Sequence, residues 1–223
     1  MIVSFLLVYW YLWLGCTVLI RYKIVVQYDG SKFLGWQIQK EGRTVQGLLE
    51  NNFKKISNSK GHVKVYGAGR TDTGVHAWAQ VAHVDLKTKL NEQDIQNALN
   101  ANLPLDCRII NIEKIEKDFH ARYDAKSRFY RYQCYTGDSI LYRNQSWILP
   151  SLDIDYLNIF AKQLIGDHDF LSFSKYNKDQ KNTDCNIFES KWVSDKKMLT
   201  YKIGANRFLH HMIRYLVGTM VAL

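Results

Sequence analysis

The sequence predicts an α+β fold made of two similar halves. Three observations carry this prediction. Short runs of alternating apolar residues recur along the chain and mark strands. Longer runs with apolar residues three and four apart lie between them and mark helices. Asp, Gly and Pro stand at the junctions, where turns are expected.

Arg21 to Tyr28 alternates around Ile24, Val25 and Val26 and reads as a strand. Asp29-Gly30-Ser31 is a turn, and Phe33 to Gln37 mixes aromatic and polar residues in a loop. Thr44 caps a helix with Val45, Leu48, Leu49, Phe53 and Ile56 at helical spacing. His62 to Gly67 is a second strand. Trp78 to Leu86 is a third, with Val81 and Val84 expected inside. Asn91 opens a second helix whose inner face is Ile95, Ala98, Leu99 and Leu103, and Pro104 stops it. Cys107 to Ile115 alternates again. The order β-α-β-β-α-β is that of a ferredoxin-like half with an antiparallel sheet. Many RNA-binding domains share it, and it does not fix function.

Ala125 to Thr136 predicts a long strand in which Lys126, Arg128, Tyr130 and Tyr132 share one face. Two cations and two tyrosines in a row suit an RNA backbone and a stacked base; a solvated edge face is the plainer alternative. Pro150 precedes a third helix, with Leu157, Phe160, Ala161 and Leu164 packed and Gly166 closing it. Asp167 to Phe173 enters a further strand region, and Ser174 to Asn186 is a polar loop. Phe188 to Val193 and Met198 to Gly204 form a hairpin. Arg207 to Leu223 predicts a last helix. Its apolar stripe is Leu209, Met212, Ile213, Leu216, Val217 and Met220, and Arg207, His211, Arg214 and Gly218 face the other way. Strand, helix, hairpin and helix repeat the order of the first half.

The 223 residues are 47% hydrophobic and 23% charged, a globular composition and not a disordered one. The net charge of +9 suggests a polyanionic partner, nucleic acid above all. Cys16, Cys107, Cys134 and Cys185 are scattered, with no zinc spacing, and read as reduced thiols in a cytosolic protein. His210-His211 is the only histidine pair, and neighbours on a helix point about 100° apart. Met1 to Ile20 is uncharged and long enough for a membrane span, yet lacks the basic start of a signal peptide. A membrane anchor and an N-terminal strand compete with the preferred expectation of a start-site artefact or dispensable extension.

Between the second and third strands runs Tyr66-Gly67-Ala68-Gly69-Arg70-Thr71-Asp72-Thr73-Gly74-Val75-His76-Ala77. Its glycines permit close backbone approach, so the loop can bring the Asp72 carboxylate against something large and flat. A tight turn capped by its own aspartate is the plainer alternative.

Taken in order, several stretches resemble the tRNA pseudouridine synthase A family. They are Tyr28-Asp29-Gly30 with Gly35-Trp36-Gln37; Gly67 to Asp72 with Gly74 to Ala77; Phe119-His120-Ala121-Arg122; Tyr130-Arg131-Tyr132; and Phe208 to Arg214 with Val217-Gly218. The resemblance covers nearly everything from Arg21 to Leu223. It implies a pseudouridine synthase fold, in which two ferredoxin-like or RRM-like halves form a mostly antiparallel sheet flanked by helices, with the active-site cleft between them. Residues 21–117 would carry the aspartate loop and 118–223 the second half. Residues 1–20 fall outside the pattern, which also continues past Leu223, so the second half is expected to be short at its C-terminus.

The implied activity is isomerisation of uridine to pseudouridine at positions 38, 39 and 40 of the tRNA anticodon arm. It uses no metal or organic cofactor, and the enzyme is a cytoplasmic homodimer, not attached to a membrane. Asp72 stands for the catalytic aspartate, and Arg214 for the basic residue paired with it. Tyr130 stands for the tyrosine on the target base, and Arg70 for the arginine that holds the flipped-out nucleotide. Arg128, Lys126 and His76 are expected as supporting RNA contacts. The reaction breaks the N1–C1′ bond, turns the uracil and joins C5 to C1′, so no atom is added. A charged carboxylate can attack C1′, attack C6 or abstract a proton, and a facing guanidinium favours the charged form. The target base must first leave its stack, at a cost of a few kcal/mol. The rival readings are a non-catalytic RNA-binding relative and a membrane-attached basic protein.

Overall fold

The structure, a computed structural model, describes residues 18–57, 61–175 and 182–223. The apolar start up to residue 17, and residues 176–181 of the expected polar loop, lie outside the described residues. The chain forms two compact units that divide after Asp124. Among the described residues, no helix is long and apolar enough to cross a membrane.

The first unit runs β1 (Ile20–Tyr28), α1 (Val45–Ile56), β2 (Val65–Gly67), β3 (Ala77–Leu86), α2 (Glu92–Asn102) and β4 (Cys107–Lys114). Its antiparallel sheet has the order β2-β3-β1-β4. This is the ferredoxin-like arrangement that the element order predicts. Thr44 caps α1 by accepting from the Gly47 N–H, and Asn91 caps α2 by accepting from the Asp94 N–H. Tyr22, Ile24, Val26 and Tyr28 of β1 point inward beneath Leu49 and Phe53 of α1 and Ile95 and Leu99 of α2.

Two expectations for this unit are corrected. The second strand begins at Val65, not His62. At its free edge Val65 donates to Glu50 Oε1 and accepts from Gln46 Nε2, so two buried polar side chains of α1 complete it. In β3 the buried alternation is Ala82, Val84 and Leu86, while Val81 is only half-buried. Val81 and Val84 are three residues apart, so a strand puts them on opposite faces.

The second unit runs β5 (Arg128–Tyr135), β6 (Trp147–Ile148), α3 (Ile154–Gln163), β7 (Gly166–Asp169), β8 (Asp184–Asp195), β9 (Met198–Ala205) and α4 (Met212–Ala222). Its sheet order is β6-β5-β9-β8-β7, antiparallel except for the short β5/β6 pair. Strands β8, β9 and β5 stand in the same relative order as β2, β3 and β1, so the topology repeats. The core gathers Leu157 and Ala161 of α3, Trp192, Tyr201 and Ile203 of the hairpin, and Met212, Leu216 and Val217 of α4.

Here too the boundaries move. The strand expected from Ala125 starts at Arg128, which leaves Lys126 ahead of it. Helix α3 starts at Ile154, after Pro150 as expected, and is capped by Asp153, which accepts from the Asp155 and Tyr156 N–H groups. Residues 207–211 are not helical; α4 starts at Met212, after His211 turns the chain at φ 63°. Leu209 is buried all the same, so it belongs to the core without belonging to the helix.

Cys107, Cys134 and Cys185 are buried free thiols. Burial pushes Cys107 and Cys134 up to about 12 and Cys185 up to about 11.

Candidate active site

The aspartate loop of the first unit is held by main-chain bonds along its length. After Gly67 the chain leaves β2, with the Ala68 N–H still donating to the Val81 carbonyl of β3 at 2.8 Å. Gln80 Nε2 donates to the Gly69 carbonyl at 2.6 Å. The Thr71 carbonyl accepts from the Trp36 N–H at 3.0 Å, and its hydroxyl meets the Tyr28 hydroxyl at 2.9 Å. The Asp72 carbonyl accepts from the Val75 N–H at 3.2 Å, closing the turn, and the Gly74 N–H donates to the Phe33 carbonyl at 3.3 Å. Asp72 is half-buried and Arg70 is exposed. The carboxylate is therefore borne on a turn fixed before, at and after it.

Segment 28–37 supplies the clamp, and two of its glycines explain how. A Cβ at Gly30 would lie 2.1 Å from the Val75 carbonyl oxygen. At Gly35, whose φ is +87°, it would lie 2.5 Å from the Thr71 carbonyl oxygen. Neither gap admits a methyl group, so these backbones approach as closely as only glycine allows. The segment is itself anchored. Arg43 makes a bidentate pair with Asp106 at 2.6 and 2.7 Å and lies over the Phe33 ring at 3.9 Å.

His76 turns its Nδ1 toward the Asp29–Gly30 turn, 3.2 Å from the Gly30 N–H and 3.0 Å from Asp29 Oδ1. Its side chain is 34% exposed. The Ser31 amide first, and His76 further, hold the Asp29 carboxyl below the usual carboxylate range. A cavity of about 400 Å³ elsewhere in this unit is lined by Arg43, Glu50 and His62 and by none of the expected site residues.

The second unit gathers the other expected residues around β5 and the start of α4. Tyr130 is half-buried and meets Phe208 edge-on, ring centroids 5.1 Å apart. Arg128 Nη1 donates to the Asn206 carbonyl at 2.8 Å. Arg214 is exposed on the first turn of α4. Burial raises the Tyr132 phenol above its ordinary value, and the nearby Arg214 charge partly offsets this. The strand face bearing Arg128, Tyr130 and Tyr132 packs toward the core, with both tyrosines half-covered. That is neither an open track nor a solvated edge. Lys126, exposed, precedes this face.

Arg70, Asp72 and His76 thus share one loop, and Tyr130, Arg128 and Arg214 share one corner of the other unit. Sequence reasoning assigned no role to Tyr28, Gly35, Trp36 or Phe208. All four stand in the quoted motifs, which was the available signal.

Comparison with known proteins identifies the family. The family described as tRNA pseudouridine synthase matches residues 24–124 and 160–223. The tRNA pseudouridine synthase A of Ehrlichia chaffeensis is 41% identical over 207 residues, which span 90% of this chain and 83% of that protein. That of Pelodictyon phaeoclathratiforme is 40% identical over 201 residues, 89% of this chain and 82% of that protein. That of Fervidobacterium nodosum is 41% identical over 206 residues, with 90% and 83% covered. Both stretches of the family match include residues expected at the site, Asp72 in one and Arg214 in the other, and the chain belongs to the tRNA pseudouridine synthase family.

Proposed function

We propose that this chain isomerises uridine to pseudouridine in the anticodon arm of tRNA, with Asp72 as the group that acts on the flipped-out nucleotide. The observation that carries the reading is the clamped turn. A carboxylate fixed by bonds at Thr71, Asp72 and Gly74 is preorganised, and a loose surface aspartate is not. The ring of Tyr130, braced edge-on by Phe208, holds the uracil while it is detached and turning. Arg214 supplies a positive charge toward the acting carboxylate, and Arg70 fills the space left by the base. Lys126, Arg128 and His76 add contacts to the RNA. Residues 21–117 contribute the acid and 118–223 the ring and the guanidinium, and residues 1–20 take no part. The working unit is a cytoplasmic homodimer with both subunits on one tRNA.

The bond changes are internal to the nucleotide: N1–C1′ breaks, C5–C1′ forms, and the proton on C5 ends on solvent while N1 gains one. The decisive experiment incubates unmodified tRNA with the chain and maps pseudouridine. The wild type forms it in the anticodon arm. Asp72→Asn binds the tRNA and forms none; normal turnover by that variant would refute the assignment. Tyr130→Phe keeps stacking and loses less activity than Tyr130→Ala; equal losses would remove the stacking role.

A further inference from the structure

The sheet of the second unit has one face on its core and one in solvent. On the solvent face the register lines side chains up in rows. Arg131 of β5 stands opposite Lys202 of β9, and Lys202 stands opposite Lys191 of β8. Three cations therefore lie side by side across three adjacent strands, which are about 4.8 Å apart. Like charges directly opposite one another destabilise a sheet. Lys191 pairs with Glu189 at 3.0 Å, and among the described residues Arg131 and Lys202 make no ion pair. One carboxylate answers three cations.

The neighbouring row is aromatic. Phe129 stands opposite Gly204, and Phe188 occupies the bulge where β8 passes Gly204. The two rings meet edge-to-face at 5.5 Å and are 63% and 47% exposed. A Cβ at Gly204 would lie 2.6 Å from Phe188 and 2.7 Å from Phe129, so the missing side chain is what lets both rings close over the strand. A row of cations that repels itself in the free protein, beside two exposed rings, is complementary to a chain of phosphates carrying flat bases.

We propose that this solvent face is a second RNA-contact surface. Phosphates of the bound RNA lie against Arg131, Lys202 and Lys191, and an unpaired base covers the Phe129–Phe188 pair. The proposal rests on the reading of the chain as acting on tRNA. The surface is separate from Tyr130, because side chains alternate along β5 and Tyr130 points to the core side.

The test compares the wild type with the double variant Lys191→Gln/Lys202→Gln, with Phe129→Ala, and with Lys162→Gln on the exposed side of α3 as a control that removes one surface charge away from the sheet. Affinity for an unmodified tRNA transcript is measured across a salt series, with sedimentation of each free protein and the single-turnover rate at saturating tRNA. The double variant binds several-fold more weakly near 0.1 M salt, and its log–log salt slope is shallower by roughly 1.4–1.8, about 0.7–0.9 for each contact removed. Phe129→Ala weakens binding without changing the slope, the control changes neither, and all keep the saturating rate. The free double variant unfolds at the same or a higher urea concentration, since a repulsion is removed. Unchanged affinity and slope in the double variant overturn the proposal. So does a changed self-association with unchanged tRNA affinity, which assigns the face to a second copy. A wild type that does not bind tRNA at all defeats the underlying reading and this surface with it.

Discussion

A methyl group added at Gly35 would meet the Thr71 carbonyl oxygen one residue before Asp72. The glycine also sits at φ +87°, where an L side chain is strained. Gly35→Ala should therefore destabilise the first unit by about 1–3 kcal/mol and displace the turn. Activity should fall at least about tenfold, mainly in kcat, because a small misplacement of a reacting group is costly. Tyr28→Phe removes only the hydroxyl facing Thr71 and should cost about 1 kcal/mol of stability. Steady-state kinetics with urea unfolding of each variant would check both. An undiminished kcat in Gly35→Ala would mean that the clamp does not set the position of Asp72. At this scale the sequence named Asp72 and its glycines, since a loop motif is local. It did not name Gly35, Tyr28 or Thr71 as a clamp, because their contact joins segments more than thirty residues apart and leaves no periodic mark.

Among the elements, the irregular segment around Phe119-His120-Ala121-Arg122 has a structural role that its motif does not announce. Arg21 donates to the Phe119 carbonyl at 2.9 Å while gripping Asp85 with its other nitrogens. The Ala121 N–H donates to Nδ1 of His83, a residue only 1% exposed. His83 also stacks on Tyr66 at 4.9 Å. Burial first, then the charges of Arg21 and His120, lower its pKa to about 4. The imidazole is thus neutral in the fold, whereas the unfolded chain takes up a proton near pH 6.5. Above that pH neither state is protonated and no stability is lost. As pH falls from about 6.5 toward 4, the unfolded state binds the proton first and stability declines, by on the order of 3 kcal/mol for this group. Urea midpoints at pH 7 and pH 4.5 would show the loss, and His83→Asn should flatten it. Helices α1 and α2 were legible because their caps, Thr44 and Asn91, are short-range signals. The start of α4 was not. The apolar spacing from Leu209 continues across a left-handed turn at His211, and periodicity alone cannot see that break.

For the whole molecule, the net charge of +9 makes tRNA binding a counterion-release process. Affinity should fall by about 10³–10⁵ between 50 and 200 mM salt if six to ten phosphates are contacted. Filter binding across that range would test it, and a flat response would speak against a phosphate-dominated interface. The repeated strand order was legible as a pattern of elements, yet the rows that cross the second sheet were not. They depend on register, which a single chain read in order does not display. The three described cysteines carry a practical consequence. Sealed from water and held as protonated thiols, they should react slowly with maleimides and iodoacetamides. With Cys16 replaced, a dye attached through a new thiol at Trp78, which is 76% exposed beside the aspartate loop, would be the fast-reacting label and could report the arrival of RNA by its own fluorescence.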